Sequence, residues 1–171
     1  SWPGRFVCSI LRCDMDVLTY SPGQVVISIC GYIVEGWSNI SVAFNSPVFR
    51  QVRGIRGKNT RIRNKDTSAT VRISLIQSSV ANDVLTNLLR EDRNSGASRL
   101  DITIKDNSGT GLFASSTAYI EGFPEMGDAA SQSERVWTVL CDASRNVSIG
   151  GNAEQGVDFA SMVGAVISKI F

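Results

Sequence analysis

The feature of this sequence that most limits its fold is a change in hydrophobic period. Residues 20–152 form a series of short strand-like segments, and among them one segment, residues 80–90, has the spacing of a helix. Apolar residues at every second position indicate half-buried strands, whereas recurrence at three and four positions indicates an amphipathic helix. We therefore predict a mainly β domain with one helix packed against it.

The strand predictions rest on runs of β-branched residues and on alternation. In residues 67–76, for example, Val71, Ile73 and Leu75 share one face, while Thr70 and Arg72 lie on the other. This period of two predicts a strand with one buried face. The same reasoning predicts strands over residues 25–30, 32–34, 40–44, 67–76, 100–105, 112–120 and 135–141.

The predicted helix carries its apolar side chains on a single stripe. Ser79 can cap its start by accepting a hydrogen bond from an early backbone N–H, and Gly96 is a plausible stop just beyond its end. The stripe has to be buried, and the sheet is the only large apolar partner available. The side chains expected to pack on the sheet are Val80, Val84, Leu85, Leu88 and Leu89.

A basic hairpin is predicted over residues 48–65. Two extended arms flank residues 54–59, whose glycines tolerate the positive φ that tight turns need. Residues 36–65 contain no acidic residue, yet they hold seven of the 17 lysines and arginines of the chain. These cations are Arg50, Arg53, Arg56, Lys58, Arg61, Arg63 and Lys65, and the last three recur at a period of two.

Three interpretations of this basic hairpin remain open from its residues alone. A β-ribbon that carries arginines can enter a DNA groove. A basic hairpin can also dock on an acidic surface of another subunit, where guanidinium groups pair with carboxylates. Finally, the cations can keep a solvated strand edge from pairing with other chains. Only Phe49 lies among them, so stacking on single-stranded nucleic acid is disfavoured.

The composition argues against catalysis. The chain has no histidine, which removes Ser–His and Cys–His nucleophile pairs and most zinc and copper sites. Neither Gly150-Gly151 nor Gly109-Thr110-Gly111 matches a phosphate-binding loop, so we interpret them as turn glycines. We predict no catalytic residue, no metal and no cofactor, and therefore no enzyme.

The four cysteines form no CxxC pair. Cys30 and Cys141 lie in apolar strand-like runs, and we predict that both are buried, since free cysteine is among the most buried residue types. Cys8 and Cys13 could bridge a short loop, which a reducing compartment would oppose.

The two ends differ in character from the centre. Residues 1–19 have no clear period, show no secretory signal and are interpreted as an N-terminal arm. Residues 153–171 are predicted to be an amphipathic tail that packs on its own domain or on a neighbour, because its helical stretch of about 12 residues is too short to cross a bilayer. Its apolar stripe consists of Phe159, Met162, Val163, Val166, Ile167 and Ile170, and Asp158 is placed to cap it.

Several short segments occur in a characteristic order. They are YSPGQV at residues 20–25, GYI at 31–33, GW at 36–37, SVANDVL at 79–85, IKDNSG at 104–109, AYI at 118–120, WTVLC at 137–141 and GGN at 150–152. Their order and spacing resemble the tail tube proteins of contractile-tailed bacteriophages. The resemblance covers residues 20–152, and the two end segments are additions to it.

This resemblance implies a mainly β, sandwich-like or barrel-like tail-tube protomer with one flanking helix and terminal extensions. It implies homohexameric rings that stack into a tube of the virion, assembled in the host cytoplasm, with tail sheath, baseplate and tail terminator proteins as partners. It further implies that DNA passes through the lumen without specific binding and that no membrane is involved. Because arginines facing such a channel would hold phosphates, we place the hairpin cations at the ring–ring contact. The alternative is a DNA-binding β-ribbon formed by residues 50–65.

Overall fold

The computed structural model describes residues 22–151. The predicted N-terminal arm, with Cys8 and Cys13, and the predicted C-terminal tail, with its apolar stripe from Phe159 to Ile170, lie outside the described residues. Among the residues that are described, no helix is both long and apolar enough to cross a membrane.

The described chain is mainly β, as predicted, with one α-helix. A short 3-10 turn (Pro22–Gln24) precedes the first strand. The elements are β1 (Val25–Ile29), β2 (Tyr32–Ile33), β3 (Trp37–Phe44), β4 (Phe49–Arg53), β5 (Asn59–Arg63), β6 (Ala69–Ile76), α1 (Ala81–Ser95), β7 (Leu100–Asp106), β8 (Leu112–Ile120), β9 (Glu134–Cys141) and β10 (Arg145–Ser148).

Eight of the strands form one antiparallel sheet in the order β2-β1-β7-β8-β9-β6-β3, with β10 also paired to β8. This sheet curls over on itself. Strands β3 and β8 are three positions apart, which would separate them by about 14 Å in a flat sheet. Instead, the rings of Phe44 and Phe113 meet edge to face with centroids 6.3 Å apart. The curled sheet agrees with the predicted barrel-like form.

The core fills the inside of this curl. In β6, Val71, Ile73 and Leu75 are fully buried, as their alternation predicts. Trp137 and Val139 of β9 are buried beside them, at positions paired with Ile73 and Val71. Opposite residues of an antiparallel pair lie on the same face, so β6 and β9 form the centre of the core.

Helix α1 packs on this core but begins one residue later than predicted. The Ser79 hydroxyl accepts the predicted hydrogen bond from an early backbone N–H, that of Ala81 at 3.2 Å, whereas Val80, directly before the helix, makes no side-chain capping bond. Val80 is 69% exposed, so the prediction that it packs on the sheet is wrong. Ala81 takes that place and, together with Leu85 and Leu89, forms the buried stripe.

The helix also runs further than predicted, to Ser95. It ends where Gly96 adopts a left-handed conformation (φ 67°) and donates a hydrogen bond to the Asp92 carbonyl at 2.6 Å. This is a common way to satisfy the last carbonyls of a helix. Within the stripe, Leu88 is partly buried against the core, and Val84 is half-buried.

One local prediction fails and one strand is missed, each for a physical reason. Cys30 is exposed, because it lies in the tight turn between β1 and β2 with a positive φ of 50°. Strand β10 was not predicted, since Arg145-Asn146-Val147-Ser148 shows no apolar alternation. It forms by pairing with β8.

Gly150 is required by close packing and not only by a turn. A Cβ atom at this position would overlap the side chain and backbone of Thr110, whereas a Cβ on Gly151 would meet nothing within 4 Å. Only glycine therefore lets the segment after β10 lie against the loop between β7 and β8.

Candidate assembly interface

The predicted basic hairpin is confirmed as a separate two-stranded sheet formed by β4 and β5. Gly54 donates to the Lys58 carbonyl at 2.9 Å and closes the turn, and Gly57 supplies the positive φ of 82°. Within residues 22–151 the hairpin strands pair only with each other, and every residue from Val48 to Arg63 is exposed. The hairpin (residues 48–65) therefore projects from the curled sheet.

The base of the hairpin is tied down by short polar side chains. Asn45 donates from Nδ2 to the Ser68 hydroxyl at 3.1 Å and accepts at Oδ1 from Thr70 at 3.0 Å. The Ser46 hydroxyl donates to Asp66 at 2.7 Å. That bond, followed by those from the Ser68 backbone and side chain, lowers the pKa of Asp66 below its usual value. These bonds fix the direction in which the hairpin leaves the sheet.

The strand register divides the hairpin into two faces. Pairing of Gln51 with Arg61 and of Arg53 with Asn59 places these residues on one face, because opposite residues point the same way. The other face carries Val52 and Ile62, with the polar side chains of Arg50 and Thr60. The ribbon is thus basic on one side and partly apolar on the other.

The structure places each predicted cation on this ribbon. Arg50 and Arg53 lie on β4, Arg61 and Arg63 on β5, Arg56 and Lys58 in the turn, and Lys65 just after β5. Arg53 Nε donates to Asn59 Oδ1 at 3.1 Å, and the Arg61 guanidinium lies 4.4 Å from the centre of the Phe49 ring.

None of the hairpin cations forms an ion pair within residues 22–151, where the one salt bridge joins Arg135 to Asp128 at 3.4 Å. Apolar side chains are uncovered as well: Val48, Phe49, Val52 and Ile62 are largely exposed, and Ile55 in the turn is completely so. A surface that combines unpaired cations with uncovered apolar groups is typical of an interaction site.

A second surface, which the sequence analysis missed, is the acidic loop (residues 121–134). It contains Glu121, Glu125, Asp128 and Glu134 and no lysine or arginine. Phe123 and Met126 are more than half exposed on it. Together with Val80, they line a cleft of about 560 Å³ against the start of α1, and the charged residues of its lining are Asp83, Arg90 and Arg135. The signal was the absence of basic residues between Lys105 and Arg135.

Gln77 holds the acidic loop in place. Its Nε2 donates to Asp128 at 2.8 Å, and its Oε1 accepts from the Ser133 N–H at 3.4 Å. The Ser133 hydroxyl donates in turn to the Gly127 carbonyl at 2.6 Å, and Arg135 pairs with Asp128. These bonds connect the second half of the loop to the end of β6, and the Glu121 N–H at its start donates to the Thr138 carbonyl at 3.0 Å.

The hairpin and the acidic loop lie at opposite ends of the protomer. The hairpin leaves the sheet between the end of β3 and the start of β6, where Phe44 pairs with Ala69. The acidic loop ends at Glu134, which pairs with Ile76 at the far end of β6. Strand β6 has 8 residues, and at about 3.3 Å per residue it separates the two surfaces by roughly 25 Å.

The two described cysteines are expected to react very differently. Burial raises the pKa of the Cys141 thiol above its ordinary value of 9.0, although the Ser115 side chain opposes this. Since the thiolate is the reactive form, iodoacetamide at pH 8 should label exposed Cys30 at least ~100-fold faster than Cys141. Peptide mass spectrometry measures the two rates. Labelling of Cys141 at a comparable rate in folded protein would contradict its burial.

The raised pKa of Cys141 also sets the sign of a stability effect. The fold favours the neutral thiol, so the stability that Cys141 contributes is complete below the ordinary pKa of 9.0 and is lost as the pH rises above it.

Among the described residues, no group of three or more potential metal ligands is present.

Comparison with known proteins gives relatives in both sequence and fold, although no protein-family model matches the chain. The structural protein ORF10 of Pseudomonas phage KPP10 is 34% identical over 145 residues, which cover 78% of this chain and 83% of ORF10. This similarity therefore extends over most of both proteins.

Two solved structures share the fold at much lower identity. A chain of the anti-feeding prophage cap, described as a tube terminating cap, has a TM-score of 0.51 at 12% identity, covering 81% of this chain and 99% of that one. A chain of the PVC extracellular contractile injection system, in its extended sheath–tube complex, has a TM-score of 0.53 at 14% identity, covering 78% and 95%.

Proposed function

This chain belongs to a family of bacteriophage structural proteins that includes ORF10 of phage KPP10, and we propose that it is the subunit of the tail tube. The observation that carries the proposal is the hairpin, which projects from the sheet with unpaired cations and uncovered apolar side chains. Contact with another copy through this surface would pair its cations and cover its apolar side chains.

In the proposed assembly, six copies close a ring. Strands β2 and β3 form the two ends of the strand order, so each leaves backbone groups that a neighbouring strand can pair. Exposed strand edges invite open-ended association unless they are covered, and ring closure covers them with copies of the same chain. The joined sheets line a central channel.

The rings then stack into a hollow tube through which DNA passes during ejection. The hairpin cations belong at the ring–ring contact, because cations facing the channel would bind phosphates and slow the passage of DNA. The tube lies in the virion tail inside a contractile sheath, and sheath, baseplate and tail terminator proteins are its further partners. This role is structural and requires no catalytic site.

Negative-stain images of the purified protein test the proposal. We expect rings about the width of a phage tail tube, or rods made of stacked rings, because the subunit carries both the lateral edges and the projecting hairpin that such assembly needs. Dispersed monomers at concentrations up to the millimolar range would contradict the tube assignment.

The alternative function, DNA binding by residues 50–65, is favoured by the alignment of Arg53, Arg61 and Arg63 on one ribbon face. A gel-shift assay at low salt separates the two functions. Binding through about six phosphates would weaken steeply as salt rises. We expect no retardation of duplex DNA by the protein at 50 mM salt, and a strong salt-sensitive shift would favour the alternative.

A further inference from the structure

We propose that the acidic loop of one copy receives the hairpin of the next copy, with Ile55 entering the cleft between that loop and the start of α1. This inference rests on the proposed function, since it names the acceptor for the hairpin in the stack. Within residues 22–151, the acidic loop matches the hairpin in position, charge and apolar character.

The positions of the two surfaces suit head-to-tail stacking, which requires complementary surfaces at opposite ends of a subunit. An interface that uses two different patches of the same protein is heterologous, and it repeats without limit when its rotation does not close. The hairpin and the acidic loop lie at opposite ends of β6. Translation of a copy along β6 therefore brings the hairpin of one towards the loop of the other.

The hairpin and the acidic loop carry opposite charges, although the charged residues that line the cleft itself are Asp83, Arg90 and Arg135. The hairpin carries cations without a carboxylate partner within the described residues. Across the interface, Glu121, Glu125 and Glu134 form no ion pair within those residues either, while Asp128 is already paired with Arg135. Electrostatic complementarity of this kind fixes orientation and register and disfavours other partners. It also predicts weaker stacking at high salt.

The apolar groups match as well. Ile55 is completely exposed at the hairpin turn, and the cleft that faces the other way exposes Val80, Phe123 and Met126. The cleft volume of about 560 Å³ is several times the 150 Å³ or so of a cavity that holds one benzene ring. It can take Ile55 together with part of the adjoining turn.

The acceptor is held ready for binding. The hydrogen bonds of Gln77 to Asp128 and Ser133 hold the second half of the acidic loop at the end of β6, and the Glu121 N–H at the start of the loop donates to the Thr138 carbonyl. A loop that is already ordered loses less conformational freedom when a partner binds. The structure thus provides a shaped site, rather than a loop that must fold around the hairpin.

Site-specific crosslinking tests the contact directly. In a background with Cys8, Cys13 and Cys30 replaced by serine, Ile55→Cys protein is mixed with Met126→Cys protein and oxidised. We expect a covalent dimer whose bridged peptides contain positions 55 and 126. The matched control pairs Ile55→Cys with Val147→Cys, an exposed apolar site at the hairpin end of the protomer, and should give no dimer.

A charge exchange provides a second, independent measurement. Arg56→Glu with Lys58→Glu, or Glu121→Lys with Glu125→Lys, should each weaken stacking at least ~100-fold, because like charges then face each other. Combining both pairs of changes should restore stacking to within about fivefold of the unmodified protein. If the losses of stacking from the two pairs of changes simply add in the combined variant, the proposed contact is wrong.

The outcomes distinguish this inference from the function on which it rests. If the unmodified protein forms rods, but no bridge joins positions 55 and 126 and the exchange does not rescue stacking, the acceptor assignment is wrong and the tube function stands. If the unmodified protein never forms rings or rods, both are wrong. A bridge together with rescue supports both.

Discussion

Replacing Arg53, Arg56 and Arg61 by glutamate is expected to abolish ring stacking while leaving the protomer folded. The three side chains lie on the hairpin, where they make no ion pair within the described residues and cover no core residue. Their reversal should therefore cost the fold less than about 1 kcal/mol. At an interface with carboxylates, it replaces attraction by repulsion worth several kcal/mol.

Sedimentation velocity and negative-stain images measure the loss of stacking, and thermal unfolding of the protomer measures its fold. The matched control reverses the same number of charges away from the hairpin, at Arg93, Arg99 and Arg145. These three residues are also exposed. We expect the control to stack. Equal loss of stacking in both variants would indicate an effect of net charge and would contradict a specific role for the hairpin.

Trp137→Ala is expected to have the largest effect on stability of the substitutions considered, a loss of about 3–5 kcal/mol. Trp137 is 1% exposed at the centre of the β6–β9 core, and its indole N–H donates to Asn82 Oδ1 at 3.0 Å. Asn82 donates in turn from Nδ2 to the carbonyls of Ile76 at 3.0 Å and Ser79 at 3.2 Å. The substitution thus removes core volume and one anchor of the helix start.

Urea unfolding measures this loss, best in the hairpin-reversed variant, because oligomerisation would otherwise make the stability depend on concentration. Val136→Ala is the matched control: the neighbouring side chain is 47% exposed, so its truncation should change stability by less than about 0.5 kcal/mol. Trp137→Phe should fall between them, since it leaves the Asn82 oxygen without this donor. A Trp137→Ala loss under about 1 kcal/mol would contradict the central role of this side chain.

Much of the fold could be predicted because its signals are local. Alternation in β6 identifies the buried face, and the glycines of the hairpin turn identify a reversal. The α1 stripe identifies a helix that must be covered. Val80 was misassigned because a hydrophobic residue at a helix boundary fits the period whether or not it lies inside the helix. The next position, Ala81, is small but is the one that faces the core.

The features that the sequence did not predict depend on pairing with strands that are distant in the chain. Strand β10 exists because β8 offers it a pairing edge, and nothing in its own four residues indicates this. The acidic loop is visible in the sequence as a run without lysine or arginine. Its significance comes from its place at the far end of β6 from the hairpin, which depends on the pairing of β6 with β3 on one side and β9 on the other.

The placement of these two surfaces at opposite ends of β6 would give the stack a polarity. Its first and last rings would differ chemically: one would present free basic hairpins, and the other would present empty clefts beside acidic loops. Nucleation and capping would then require two different templates. The end with free hairpins would need a template with carboxylates around an apolar recess. The end with empty clefts would need a cationic protrusion with an isoleucine at its tip. Growth from one template would proceed in a single direction, and a protein that blocks one end could not block the other.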